Sequence, residues 1–357
     1  MSTDYKKLLL DRDQILQAVE DLGVTNIAYV AVPKGNGLHH LTGELNATSF
    51  LINVYLNKDG TVSLSKQTGK DDAIFEAVAS QVVRKCSFAK TKAFSFSLQK
   101  GAADGCSLDV LGAFLEENDC QVEHKETKAN PAGYDLVRWV SPYGDTVTIK
   151  QFTNKTVQFQ GKNGLLASLI WDFVVVNSKD GIQEQLKAYE IAATPREIFD
   201  ELAGRLDQSR VFLHDKVQKL LSSALSMVKV KVSLEDYGLV AFPAIRALEG
   251  YLIQTLVDTE FTPVQASSFG DYFVKNAAKN AYVMRDEYAD FAKAKKGNKR
   301  VLGLSQIYTY WHDNRHRGFH MDATIETSKM TPTLSEAAQV VDEVLHLIEH
   351  SYTEMRT

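Results

Sequence analysis

Six residues near the C-terminal end, Arg315-His316-Arg317-Gly318-Phe319-His320, place a permanent cation five positions before a side chain that gains and loses a proton near neutral pH. Such a pair can stabilise a developing oxyanion and move a proton. A carboxylate joins them from further upstream. If Pro243 starts the helix FPAIRALEGYLIQTLVD and Ile245 is set at 0°, Leu248, Leu252 and Leu256 fall within about 60° of it and Glu249 at about 40°. Glu249 therefore interrupts an apolar stripe, where a carboxylate needs a partner or a proton. The segment LGLSQIYTYWHDNRH has the converse irregularity. Leu304, Ile307, Tyr308 and Trp311 form its core-facing stripe, and the next position in that spacing is Arg315. Glu249 is the natural candidate partner for that guanidinium. An ion pair that only fixes helix packing is the plainer reading of the same residues.

Metal chemistry is the rival. His312, His316 and His320 recur every fourth residue, and His346-Leu-Ile-Glu349-His350 has the letters of an inverted zinc-protease motif. A catalytic zinc needs a third protein ligand, and only seven residues follow His350. The histidines are read as surface or supporting residues, and the site as free of metal and cofactor. Gly161-Lys162 lacks a flanking P-loop and is read as turn chemistry. Cys86, Cys106 and Cys120 are odd in number and have no metal-ligand spacing, which suits a reducing compartment. With no signal-peptide pattern in MSTDYKKLLLDRDQ and no long apolar run, the expectation is a cytoplasmic protein without a membrane partner.

Charge limits how nucleic acid could be bound. Residues 1–192 hold 20 Lys+Arg against 23 Asp+Glu and residues 193–357 hold 20 against 22, so neither half can coat phosphates nonspecifically. A local patch, Lys293, Lys295, Lys296, Lys299 and Arg300, could contact RNA, although a solvated loop is the plainer reading.

These residues need elements to hold them, and 357 residues suggest two or three domains. Two stretches resemble each other, FLINVYLNKDGTVSLSKQTGKDDAIFEAVASQVV from Phe50 and DTVTIKQFTNKTVQFQGKNGLLASLIWDFVVV from Asp145. Each reads as strand, Asn-Lys turn, strand entered by Thr-Val, then an apolar helix. A helix and a strand precede each stretch. Two small α+β repeat domains at 1–92 and 93–195 follow, with a mostly α-helical domain at 196–357. In the last part Leu213, Val217, Leu220, Leu221, Ala224 and Val228 keep helical spacing. The final helix opens on the capping box Thr333-Leu-Ser-Glu336.

The segment Arg315 to His320 matches the R-x-x-x-x-H signature of HEPN ribonucleases, including a polar residue, His316, after the Arg. FPAIRALEGYL, PVQASSFGDYFVKNAA and IYTYWHDNRHRGFHMD, in order and spacing, resemble the C-terminal domain of the RnlA-type toxin ribonucleases over roughly residues 235–325. The two N-terminal repeats are similar to that family in layout, where such domains resemble TATA-binding-protein (TBP) halves. The resemblance implies a TBP-like pair of α+β domains followed by a helical HEPN domain. It implies a type II toxin endoribonuclease that cleaves mRNA without metal, acts in anti-phage defence, and forms a homodimer. It also implies restraint by a cognate antitoxin protein, one encoded by phage included. Arg315, His320 and Glu249 carry over as the catalytic set, with His316 and Asp236 in support. Two other readings stand beside it: a non-catalytic HEPN-like interaction module, and a nucleotide-binding or nucleotidyl-transferring domain on the same scaffold.

Overall fold

The structure, a computed structural model, describes residues 5–8, 10–33, 37–57, 61–67, 71–87, 93–100, 106–128, 133–231, 234, 237–262, 268–319 and 333–356. The chain forms two compact units. One comprises 1–92 with 231–235, the other 93–230 with 236–357.

In the first unit a 3-10 turn (Arg12–Gln14) leads into α1 (Ile15–Glu20). Four antiparallel strands follow in spatial order, β1 (Thr25–Ala31), β2 (Leu38–Leu45), β3 (Thr48–Leu56) and β4 (Val62–Lys66). Helix α2 (Asp72–Cys86) closes the motif, with Asp71 accepting from the amides of Ala73 and Ile74 as its N-cap. The core lies between sheet and helices, where Ile15, Val19, Leu41, Ile52, Val54, Val62, Val78 and Val82 are buried.

The second unit opens on the same plan. Strand β5 (Phe94–Leu98) is followed by α3 (Leu108–Glu116), by β6 (Gln121–Lys128), β7 (Tyr134–Val140), β8 (Thr146–Phe152) and β9 (Val157–Gly161), and by α4 (Leu165–Asn177). The sheet order is β5-β9-β8-β7-β6, so β5 pairs antiparallel with the last strand of its meander. The first unit has a counterpart, because Tyr5 and Leu8 hydrogen-bond to Leu64 and Val62 of β4. Repetition thus extends to the strand before the first helix. The pairs Thr61-Val62 and Thr156-Val157 that marked the repeat both enter the last strand of their meander.

Helix α4 packs the second repeat onto the helices that follow it. Every residue from Leu166 to Val175 is buried, so no side of the helix faces water. It is covered by α3 and β8 on one side and by later helices on the other: α5 (Gly181–Ala188), α7 (Asp215–Met227) and α8 (Gly238–Asp258). Between α5 and α7 lies α6 (Pro195–Arg205), with a full capping box between Thr194 and Glu197. A hairpin, β10 (Phe273–Asn276) and β11 (Ala281–Met284), follows the short α9 (Phe269–Tyr272). The chain then enters α10 (Asp286–Lys296), α11 (Asn298–Phe319) and α12 (Leu334–Arg356). Helix α8 packs on α7, α11 and α12.

Two local expectations change. The Lys-rich segment 293–300 is helical, divided only at Gly297, whose φ of 85° ends α10. Pro243 lies inside α8, which begins at Gly238. An interior proline costs about 3 kcal/mol. Leu239, Val240, Ala241 and Phe242 are all buried, and that burial offsets the cost.

Candidate active site

Helix α11 buries Leu304, Ile307, Tyr308 and Trp311 as the spacing requires. Phe269 and Phe273 pack on this stripe, with ring centroids 5.0 Å from Trp311 and 4.2 Å from Tyr308 respectively. One turn beyond Trp311 the stripe reaches Arg315, half-buried, with its guanidinium carbon 4.8 Å from the Trp311 ring centroid. This stacking holds a cation at the end of an apolar row without neutralising it. Among the described residues no carboxylate pairs with Arg315. Its charge is felt by Tyr308 and by Tyr143 in the β7–β8 turn. Burial raises both phenol pKa values, and Arg315 opposes the rise.

Glu249 is half-buried on α8, and among the described residues no ion pair joins it to Arg315. The carboxylate–guanidinium pair in this region is a different one. One turn earlier on α8, Arg246 Nε approaches Asp172 Oδ2 of α4 at 3.4 Å, and its Nη1 donates to Asn118 Oδ1 at 3.2 Å. The Arg246 guanidinium also lies 5.1 Å from the Phe114 ring and 5.9 Å from Phe242. Burial pushes the Asp172 carboxyl up to about 7, Arg246 pulls against that, and the Glu249 charge adds to the rise. Neither Asp172 oxygen has a hydrogen bond. The sequence did carry a signal for Asp172, the single charged residue in LLASLIWDFVVV. Tyr143 had none.

His320 and Asp236 lie outside the described residues, and His316 is on the last turns of α11. His312 approaches the Tyr282 hydroxyl at 3.1 Å through Nε2. Of the proposed RNA-contacting cations, Arg300 is only 5% exposed and donates to Asp258 and to the Thr255 carbonyl, so it serves the fold and cannot meet a phosphate. Lys296 pairs with Asp258 at 3.5 Å, and Lys295 pairs with Glu260. Lys299 is exposed.

The protease-like letters near the C-terminus have a structural use. Glu349 accepts hydrogen bonds from the Gln208 amide at 2.8 Å, the Ser209 amide at 3.0 Å and the Ser209 hydroxyl at 2.6 Å. Burial alone would raise its pKa, but these bonds outweigh it and lower the value. His346 and His350 stack on each other, ring centroids 5.7 Å apart, on the exposed side of α12. All three cysteines are buried, and burial pushes their thiols up to about 12, 11 and 12 for Cys86, Cys106 and Cys120. None is a nucleophile near neutral pH. No helix among the described residues is long and apolar enough to cross a membrane.

Comparison with known proteins gives three consecutive family matches: RNase LS, bacterial toxin N-terminal, over residues 5–82; RNase LS, bacterial toxin, over 97–177; and RNase LS, bacterial toxin DBD domain, over 195–322. The chain is 29% identical over 347 residues to the mRNA endoribonuclease LsoA of Escherichia coli O157:H7, covering 97% of this chain and 96% of the relative. It is 23% identical over 292 residues to the mRNA endoribonuclease toxin LS of Escherichia coli strain K12, covering 78% and 77%. Among solved structures, Escherichia coli toxin LsoA in complex with T4 phage antitoxin Dmd aligns over 73% of this chain and 99% of that one, at 29% identity and a TM-score of 0.44.

Proposed function

The chain belongs to the RnlA-type family of bacterial toxin ribonucleases, and from that premise we propose that it is an endoribonuclease toxin cleaving mRNA without a metal ion. The observation that carries this is Arg315. It is held on Trp311 at the end of a buried stripe, with no carboxylate among the described residues to neutralise it. A cation so placed supports a role at a phosphate.

RNA brings its own nucleophile, the ribose 2'-hydroxyl. A base removes that proton, the 2'-oxygen attacks phosphorus, and the bond to the 5'-oxygen breaks as an acid protonates the leaving group. His320 serves in proton transfer and Arg315 stabilises the charge on the phosphorane. Glu249 orients this set from the neighbouring helix, and His316 and Asp236 support it. Lys295, Lys296 and Lys299, exposed members of the basic cluster, are the proposed contacts to the RNA strand. On this reading residues 196–357 are a HEPN domain, the two α+β repeats are TBP-like, and the enzyme acts in the cytoplasm as a homodimer. A second copy of the motif then supplies the other acid-base group. By analogy with LsoA and Dmd, the partner is an antitoxin protein, one encoded by phage included, and the role is anti-phage defence. The test is product chemistry: incubation of RNA with the protein and a chelator should give 2',3'-cyclic phosphate and 5'-hydroxyl ends. A requirement for added metal would refute the mechanism.

A further inference from the structure

Helices α3, α4, α7 and α8 surround a cavity of about 370 Å³. Its walls are mostly apolar, from Val110, Phe114, Phe173, Val176 and Leu220, with Lys216, Glu117 and Asn177 adding polar groups. Leu220 keeps helical core spacing but is only half-buried, because it faces this space. Asp172 also lines it. Its side chain is 3% exposed and has no hydrogen bond to either oxygen, although a carboxylate at such a place ordinarily accepts two or more. Beside it Arg246 is fixed by Asn118 and by the Phe114 ring.

We infer that this cavity is a binding pocket for a guanine base, read by Asp172 and Arg246. The pairing edge of guanine presents two N–H donors, N1 and the exocyclic amine, next to the O6 acceptor. A carboxylate with neither oxygen hydrogen-bonded answers the donors, and the guanidinium paired with it answers O6. Phe114 and Phe173 supply flat apolar contact for the ring. The volume is at the small end of the roughly 300–1,000 Å³ of ligand sites, enough for one base and its sugar. Adenine offers an acceptor, N1, where the carboxylate needs a donor, and uracil offers a single N–H between two acceptors. The inference deepens the ribonuclease reading, since Glu249 lies one turn beyond Arg246 and a base of the RNA strand is the natural occupant. A free guanine nucleotide has the same base chemistry, so the test separates the two sources.

Protonation gives a further signature. The charged groups around Asp172 are Arg246 and Glu249 on α8, Glu117 on α3 and Lys216 on α7. Burial holds the Asp172 carboxyl near 7, so it carries a proton in part of the population at neutral pH. A protonated carboxyl cannot accept from both donors. Guanine affinity should weaken as pH falls below about 7, approaching tenfold per unit.

The experiment is calorimetric titration of the full chain with GMP, AMP and UMP, in chelator, at pH 6 and pH 8. GMP should bind about 5- to 150-fold tighter than AMP or UMP, and tighter at pH 8 than at pH 6. Asp172→Asn should remove both preferences. Ala113→Phe, which fills the cavity from its exposed rim, should abolish GMP binding while the protein stays folded. Displacement of GMP by a guanine-containing oligonucleotide identifies RNA as the source, and its retention identifies a free nucleotide. Equal binding of the three nucleotides, or GMP binding unchanged in both variants, would overturn the inference. Cleavage is not the readout, so failure of the ribonuclease reading would show separately.

Discussion

Replacing Asp172 by Asn should change how the stability of the second unit depends on pH. In the folded chain the carboxyl is pushed up to about 7 from 3.8, first by burial, with Arg246 opposing and Glu249 reinforcing. Below 3.8 both folded and unfolded forms are protonated and the group's contribution is fully present. Between 3.8 and about 7 the folded state keeps a proton that the unfolded chain has released, so raising the pH favours unfolding by about 1.4 kcal/mol per unit. Over the whole window that amounts to roughly 4 kcal/mol, lost as pH rises through the folded value. Asn mimics the protonated form and cannot titrate, so Asp172→Asn should lack this slope. Arg246 loses its charged partner in the variant, but it stays cationic throughout, so the loss shifts the level and leaves the slope alone. Urea unfolding of both proteins from pH 4 to pH 8 reads the difference. Parallel profiles for wild type and variant would refute the reasoning about this buried pair.

Further outcomes follow from the same geometry. Arg315→Ala should cut turnover on RNA by about 100- to 1,000-fold, as for other single charge-stabilising donors, with modest loss of RNA binding; single-turnover cleavage at saturating enzyme measures it, and an unchanged rate would count against a catalytic guanidinium. Glu349→Gln weakens three hydrogen bonds to Gln208 and Ser209 and should cost about 1–3 kcal/mol in chemical unfolding, with zinc affinity no different from wild type. Gly161→Ala puts a methyl group against the Thr146 carbonyl and Val147 in mid-sheet, so a loss of about 1–3 kcal/mol is expected, and an unchanged thermal midpoint would contradict the packing described for β8 and β9.

Much of this arrangement was legible in the sequence because periodicity reports burial. Leu304, Ile307, Tyr308 and Trp311 are buried where three-and-four spacing put them, and Arg315 continues the row. The two Thr-Val pairs marked equivalent strands for the same reason. Periodicity gives a face but no partner. Glu249 and Arg315 both interrupt stripes on packed helices, yet the carboxylate–guanidinium pair of this region is Asp172–Arg246. That pair joins residues 74 positions apart, on helices whose apposition no local pattern encodes. Arg300 shows the converse: a cation in a basic run looks solvated until Asp258 and the Thr255 carbonyl, from the end of α8, enclose it. Pro243 misled in a third way, since burial of Leu239 to Phe242 outweighs a proline's preference for a first turn.

The central claim is that the segment from Arg315 to His320 cuts RNA. Wild-type chain and His320→Ala should be incubated with mRNA in chelator, with circular dichroism showing both folded. The wild type should cleave, and the variant should lose cleavage by two orders of magnitude or more, on the scale of about 100- to 10,000-fold for acid-base groups. Cleavage by His320→Ala at the wild-type rate would contradict it.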